Sequence, residues 1–344
     1  MIRKAAIVSI AGGTLTNEEI IIIKKEKPWG IILFKRNILS ENQLTSLIKS
    51  IKKTMNDKKY PILIDEEGGK VSRFSNFLDN SPYNQKYFGD IYELNKKIGT
   101  KFYKLYLDSL SKVLNKVGIN INTSPVLDLI KKNSHKVIGN RSYSSNTRVV
   151  NELGRLCVKF YKINKIGTVI KHIPGHGGAN SDSHFSLPKI NDTFQFLKKN
   201  DFKCFKNTSS FFAMTAHILY TSIDKKNNVT HSNIILKKII RKEIGFKGIL
   251  ISDDISMKAL KYNIIKKIIR NEIGFKGILI SDDISMKALK YDLINNAKLA
   301  HDAGCNLILY CAGKLHEVKK LLKETPYIDK FTKKKTSEFY KFLS

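Results

Sequence analysis

Short apolar runs recur along the chain, separated by longer stretches in which apolar residues return every three or four positions. The runs are Ala5–Ile10, Gly30–Phe34, Pro61–Ile64, Ile119–Val126, Thr168–Ile170, Phe211–Thr215, Ile249–Ile251 and Asn306–Tyr310. They are rich in β-branched residues and predict strands. Between them, segments such as Glu41–Met55 and Leu94–Val117 carry the amphipathic pattern of helices. Strands alternating with helices imply right-handed βαβ units and a parallel sheet. Eight such strands predict an α/β fold of the (β/α)8 TIM-barrel type, with residues 1–344 forming one barrel domain.

A doubly wound sheet is the competing architecture. The polar residues argue against it, because they follow the apolar runs in unit after unit: Asp65-Glu66-Glu67, Asp128, Lys171-His172, His217 and Asp253-Asp254. Spreading polar chemistry over the C-terminal ends of many strands is how a barrel builds a site.

One feature breaks the pattern. Lys237–Tyr262 and Lys266–Tyr291 are nearly the same sequence, offset by 29 residues and differing at Lys242 and Asn271. This is a tandem duplication of one helix–strand–loop unit. Two copies are too few for a solenoid. They leave nine candidate strands for eight places, so one copy is surplus and is expected to be extruded at the catalytic face, where barrel loops tolerate insertions.

Composition narrows the class. No run of about 18 apolar residues is present, so no membrane span is expected. Residues 1–13 read as a strand and loop and not as a signal peptide. Cys157, Cys204, Cys305 and Cys311 form no C-x-x-C pair, which fits reduced thiols in a cytoplasmic protein. Lys and Arg total 61 against 30 Asp and Glu, a formal net charge of +31. The lysines are spread along the whole chain, which favours solvated surface residues over a nucleic-acid or membrane patch. The same charge can attract an anionic substrate.

Three segments carry candidate chemistry. Asp65 to Arg73 follows a clean strand, and its Gly68-Gly69 pair permits a sharp exit. Its acids can accept hydrogen bonds from hydroxyls, and Arg73 can bind a carboxylate or hydroxyl. Lys171-His172-Ile173-Pro174-Gly175-His176 leads into Asp182-Ser183-His184. This loop suits acid–base work, with Asp182 orienting His184, or a metal site built from His172, His176, Asp182 and His184. Ser252-Asp253-Asp254 and Ser281-Asp282-Asp283 each end a strand. One aspartate of each pair is placed for a nucleophile or electrostatic stabiliser, the other for capping the next helix.

Taken in order, these motifs resemble the glycoside hydrolase family 3 catalytic barrel, specifically the single-domain β-N-acetylhexosaminidases of bacterial cell-wall recycling. The resemblance covers Gly30 to Asn37, Asp65 to Phe74, Asn122 to Asp128, Ile138 to Ser145, Lys171 to Pro188, Met214 to His217, Thr230 to Ser232 and the repeated G-F-K-G-I-L-I-S-D-D-I-S-M segment. It implies that Asp65, Arg73, Arg141, Lys171 and His172 bind N-acetylglucosamine. It implies that Asp182 and His184 form an acid–base dyad, and that the first Asp of Ser-Asp-Asp, Asp253 or Asp282, is the nucleophile. The activity implied is that of a retaining exo-β-N-acetylglucosaminidase acting on muropeptides in the cytoplasm. No cofactor or metal is expected, and a small sugar substrate is the expected partner. Neither nucleic acid nor membrane is expected as a partner, and a monomer is. An imidazole base does not repel an anionic acceptor, so phosphorolysis is a side reading. Two competing functions stand beside the glycosidase. One is a barrel that binds sugar without turnover because the duplication has distorted it. The second is a His/Asp metal-dependent hydrolase.

The chain departs from the family pattern at Gly178-Ala179, where Asp-Thr is usual, at Lys70 in place of Arg, and at Asn140 before Arg141. Of the two copies, the first has the matching upstream context and the second the matching downstream context.

Overall fold

The computed structural model describes residues 2–131, 138–179, 188–216, 218–251, 278–285, 291–302 and 304–344, without the side chains of His231 and Asp282. Its main sheet contains nine strands, all paired in parallel. In chain order the strands are β1 (Lys4–Val8), β2 (Pro28–Leu33), β3 (Ile62–Ile64), β4 (Ile121–Asn122), β5 (Gly167–Ile173), β6 (Lys189–Ile190), β7 (Phe212–Thr215), β8 (Leu219–Tyr220), β9 (Ile249–Ile251), β10 (Ile280–Asp283) and β11 (Leu307–Tyr310). The main-sheet order is β10-β11-β1-β2-β3-β4-β5-β7-β9, and β6 pairs with β8 in a small separate sheet.

Alternation along the strands builds two cores. Ala5, Ile7, Trp29, Ile32, Leu63, Ile121, Val169, Phe212 and Leu307 meet in one cluster inside the barrel. Their neighbours Ala6, Val8, Ile31, Leu33, Ile62, Ile64 and Ile170 join a second, larger cluster with the helices. Period-two alternation therefore separates an inner layer from a helix-facing layer, as a filled barrel requires.

The helices behind the strands are α1 (Asn17–Glu26), α2 (Glu41–Thr54), α3 (Gln85–Leu94), α4 (Lys96–Val117) and α5 (Thr147–Ile163), with further helices following. Local chemistry sets their ends. Thr16 and Glu19 form a capping box at the start of α1. Gly118 ends α4 at φ 93°, and a Cβ there would come 2.9 Å from Ile48 Cγ2. The expected run Ile119–Val126 is a strand only at Ile121–Asn122. Pro125 has no N–H for the ladder. The pairing continues irregularly, with Lys171 N donating to Pro125 O at 3.2 Å and Leu127 N to Lys171 O at 2.7 Å.

The barrel class agrees with the reading of the sequence, but the fate of the duplication differs. Extrusion of one whole copy is corrected: both copies place a strand in the sheet. β9, from the first copy, pairs with β7 through Ala213↔Leu250. β10, from the second, pairs with β11 through Ile280↔Leu307. These two strands are the ends of the sheet, so the surplus strand lies where the barrel nearly closes. Ile249, Ile251, Ile278 and Ile280 all enter the inner core. Each copy offers the same apolar strand and each found an unfilled edge, so burying both satisfies more backbone and apolar surface than ejecting one.

Candidate active site

Three consecutive acids leave β3 and take three different environments. Glu66 is buried, and its carboxylate accepts from the Arg73 N–H at 2.7 Å, the Phe74 N–H at 3.2 Å, Ser72 Oγ at 3.2 Å and Asn80 Nδ2 at 3.1 Å. Burial raises its pKa, against the pull of those bonds. Glu66 therefore pins the loop that carries Arg73. That loop turns at Gly68 and Gly69, with φ 79° and 62°, where an added Cβ would come 2.3 Å from Tyr83 O and 2.7 Å from Asn84 Cβ.

Asp65 remains half-exposed beside this anchor. Its Oδ2 accepts from Arg73 Nη2 at 3.3 Å, and Thr123 Oγ1 donates to Oδ1. Glu67 is buried under it. Arg141 grips Glu67 in bidentate fashion, Nε to Oε2 at 2.8 Å and Nη2 to Oε1 at 2.9 Å. Lys171 Nζ lies 2.5 Å from Glu67 Oε1, 3.9 Å from Asp65 Oδ1 and 3.2 Å from Thr123 Oγ1. Burial alone would raise the pKa of Glu67. Lys171 and Arg141 outweigh it and hold the carboxyl below the usual range.

The next residue of β5 is held equally firmly. His172 Nδ1 bonds Asp128 Oδ2 at 2.7 Å, and the His172 and His176 N–H groups donate to Asp128 Oδ1 at 3.2 and 2.7 Å. Burial opposes ionisation of Asp128, but His172 lowers its pKa overall. With Nδ1 engaged, Nε2 is the ring nitrogen left for a ligand.

Asp65, Arg73, Arg141, Lys171 and His172 therefore come together at the C-terminal ends of β3, β4 and β5. Asp182, His184, His217 and Asp253 lie outside the described residues. Asp282 lies in β10, with only its backbone described. Its neighbour Asp283 accepts from the Cys311 N–H at 2.9 Å and the Ser285 N–H at 3.0 Å, tying β10 to β11. In the second copy the second aspartate thus does structural work. Among the described residues, no group of three or more His, Cys, Asp and Glu is placed to hold a metal ion.

Sequence reasoning counts Glu67 only among acids able to accept from hydroxyls and Asp128 only among the polar residues after strands, and gives neither its observed task of fixing neighbouring side chains. The signal was present in both cases. Three adjacent acids cannot all face solvent at the end of a buried strand. An Asp closing the preceding barrel unit is a natural partner for His172.

The sequence matches the glycosyl hydrolase family 3 N terminal domain over residues 4–264 and again over 259–330. The chain belongs to glycosyl hydrolase family 3. The two matched spans overlap at residues 259–264, within the duplicated region. A β-hexosaminidase of Nitrosomonas eutropha is 29% identical over 305 residues, covering 88% of this chain and 79% of that protein. One of Neisseria gonorrhoeae is 33% identical over 260 residues, covering 74% of this chain and 71% of that protein. Among solved structures, NagZ from Neisseria gonorrhoeae in complex with N-trifluoroacetyl-D-glucosamine aligns with a TM-score of 0.75 and 26% identity. That alignment covers 100% of this chain and 91% of the other. This family 3 chain is thus a glycoside hydrolase built on an α/β barrel.

Proposed function

We propose that the chain is a retaining exo-β-N-acetylglucosaminidase that acts on peptidoglycan-derived muropeptides in the cytoplasm as a single-domain monomer. The observation that carries the sugar-binding part is the fixed polar cluster on β3 to β5. Lys171 and Arg141 are pinned on Glu67, and Arg73 reaches Asp65, so the donors and acceptors for sugar hydroxyls are ordered before substrate arrives. The curated β-hexosaminidase relatives and the sugar complex of the gonococcal NagZ support N-acetylglucosamine as the sugar.

In this mechanism Asp65, Arg73, Arg141, Lys171 and His172 bind the non-reducing sugar. The first Asp of a Ser-Asp-Asp segment attacks the anomeric carbon while His184, oriented by Asp182, gives a proton to the leaving oxygen. Water then hydrolyses the glycosyl–Asp ester, with His184 taking the proton back. Replacing that water by phosphate gives the side reaction of phosphorolysis. The structural ties of Asp283 support Asp282 as the reacting member of the second copy. The test is hydrolysis of a chromogenic β-N-acetylglucosaminide by the parent chain, Asp253→Ala and Asp282→Ala. Loss in one variant alone assigns the nucleophile, and undiminished turnover in both overturns the mechanism.

The seam favours a second reading. β9 and β10 end the sheet instead of pairing with each other. A family 3 barrel whose seventh position is split in two would hold the sugar on β3 to β5 without turning it over. Calorimetric binding of N-acetylglucosamine by a parent chain that hydrolyses nothing would select that reading.

A further inference from the structure

The charge of this chain is spread in sequence, but the fold gathers part of it beside an apolar stripe. Tyr103, Leu107, Leu110 and Leu114 form the buried face of α4. On its outer side Ile98 is 49% exposed, Phe102 50% and Leu105 57%, at helical spacings of four and three. Leu94, which ends α3 just before α4, is 87% exposed. Scattered surface hydrophobics need no explanation, but a continuous stripe does.

Lys97, Lys101 and Lys104 stand along one side of it. None makes an ion pair among the described residues. Of the nearby acids, Glu152 is paired with Lys96 at 2.8 Å and Arg148 at 2.8 Å and Asp108 with Lys112 at 2.6 Å, while Glu93 accepts from Ser144 Oγ at 2.6 Å. A shallow groove of about 790 Å³ beside the stripe is walled by Lys96, Lys97, Lys101 and Lys104 and reaches Phe160 on α5. The face as a whole is apolar along its crest and cationic along its flank.

The geometry points to a peripheral docking surface for an anionic phospholipid membrane on the outer face of α4. An amphipathic helix with aromatic and aliphatic residues on one side and lysines beside them lies in the headgroup region, apolar side inward. Each lysine near an anionic leaflet strengthens binding about fivefold. A fluid surface fits side chains that project outward, whereas a protein partner needs matching pockets. This surface departs from the expectation of no membrane partner. It does not require a spanning segment, and no described helix is long and apolar enough to be one. It lies on a helix of the outer layer, away from the polar cluster on β3 to β5, and is independent of the proposed glycosidase chemistry.

The test is sedimentation of the full chain with vesicles of phosphatidylcholine alone and of phosphatidylcholine mixed with phosphatidylglycerol. Binding is expected only to the mixed vesicles, weakening as salt rises. The triple variant Lys97→Glu, Lys101→Glu, Lys104→Glu and the double variant Phe102→Asp, Leu105→Asp should each lower it at least about tenfold. Thermal melting checks that both remain folded. Absence of binding by the parent chain, equal binding by either folded variant, or equal binding to uncharged vesicles overturns the proposal. So does light scattering that finds a dimer which the Phe102→Asp, Leu105→Asp variant dissociates, since the stripe would then be a contact between copies.

Discussion

Lys171 and Glu67 meet at the C-terminal ends of β5 and β3 with Nζ 2.5 Å from Oε1, and both are buried. The pair is not isolated, because Arg141 closes on the same carboxylate from the β4–α5 connection. One anion thus fixes two cations that arrive from separate elements. Glu67→Gln removes the charge and leaves Lys171 and Arg141 gathered around a neutral group. Breaking a buried pair in this way costs about 3–5 kcal/mol. Urea unfolding should show that loss. Turnover should fall with it, because the two cations lose their fixed positions.

The same carboxyl makes stability depend on pH. Burial pushes Glu67 up, but Lys171 and Arg141 push it further down, so its folded pKa lies below its unfolded value of about 4.3. A depressed carboxyl stabilises the fold fully above the unfolded pKa and loses that contribution as pH falls towards the folded one. The melting temperature should therefore fall as pH is lowered from about 6 to about 3. Glu67→Gln should flatten that part of the curve. An unchanged acid slope in the folded variant would show that other carboxylates govern it.

Asp128 is a positioning residue for His172. It receives the ring through Nδ1 and the backbone N–H of both His172 and His176. Asp128→Asn keeps the shape but weakens the charge-assisted bonds. If His172 binds sugar, KM should rise by about tenfold, the order seen when a single charge-assisted bond of about 1.5 kcal/mol is lost. A fall in kcat alone, with KM unchanged, would place His172 at the reacting bond instead.

The proposed acid role of His184 predicts a dependence on the leaving group. His184→Ala should hurt least with nitrophenol-type leaving groups, which depart without a proton, and most with sugar alcohols. The gap should span about 10²–10⁴-fold, the usual contribution of general acid catalysis. Equal loss on both substrate types would remove the proton from this residue's task.

Much of this molecule is legible in its sequence, for physical reasons that differ by element. The runs Ala5–Ile10 and Asn306–Tyr310 read as strands because a barrel strand is apolar on both faces, and they contain most of β1 (Lys4–Val8) and all of β11 (Leu307–Tyr310). Asp65, Arg73, Arg141, Lys171 and His172 are found together because each follows or belongs to such a strand or its loop. The partners Glu67 and Asp128 are harder to read, since pairing across β3, β4 and β5 depends on register and not on spacing along the chain. The seam is hardest. Identical copies carry identical patterns, and only the edges on offer, β7 and β11, decide that each receives one copy.

That division suggests how to undo the duplication. β9 makes the pairing to β7 and β10 makes the pairing to β11, and in a closed eight-strand barrel one strand makes both. Deleting residues 252–280 joins Ile251 to Ser281 and leaves one uninterrupted Gly-Ile-Leu-Ile-Ser-Asp-Asp segment. The shortened chain can keep the described β7 and β11 pairings on one strand. It should melt at a higher temperature than the parent and resist proteolysis better, because one strand then joins β7 to β11 in a continuous ladder. If the split position impairs attack at the anomeric carbon and the cluster on β3 to β5 binds the sugar as proposed, the deletion should also raise kcat on a chromogenic β-N-acetylglucosaminide while KM stays constant. A shortened chain that is less stable than the parent would mean that the nine-strand sheet, and not the eight-strand barrel, is the arrangement to which the rest of this sequence has adapted.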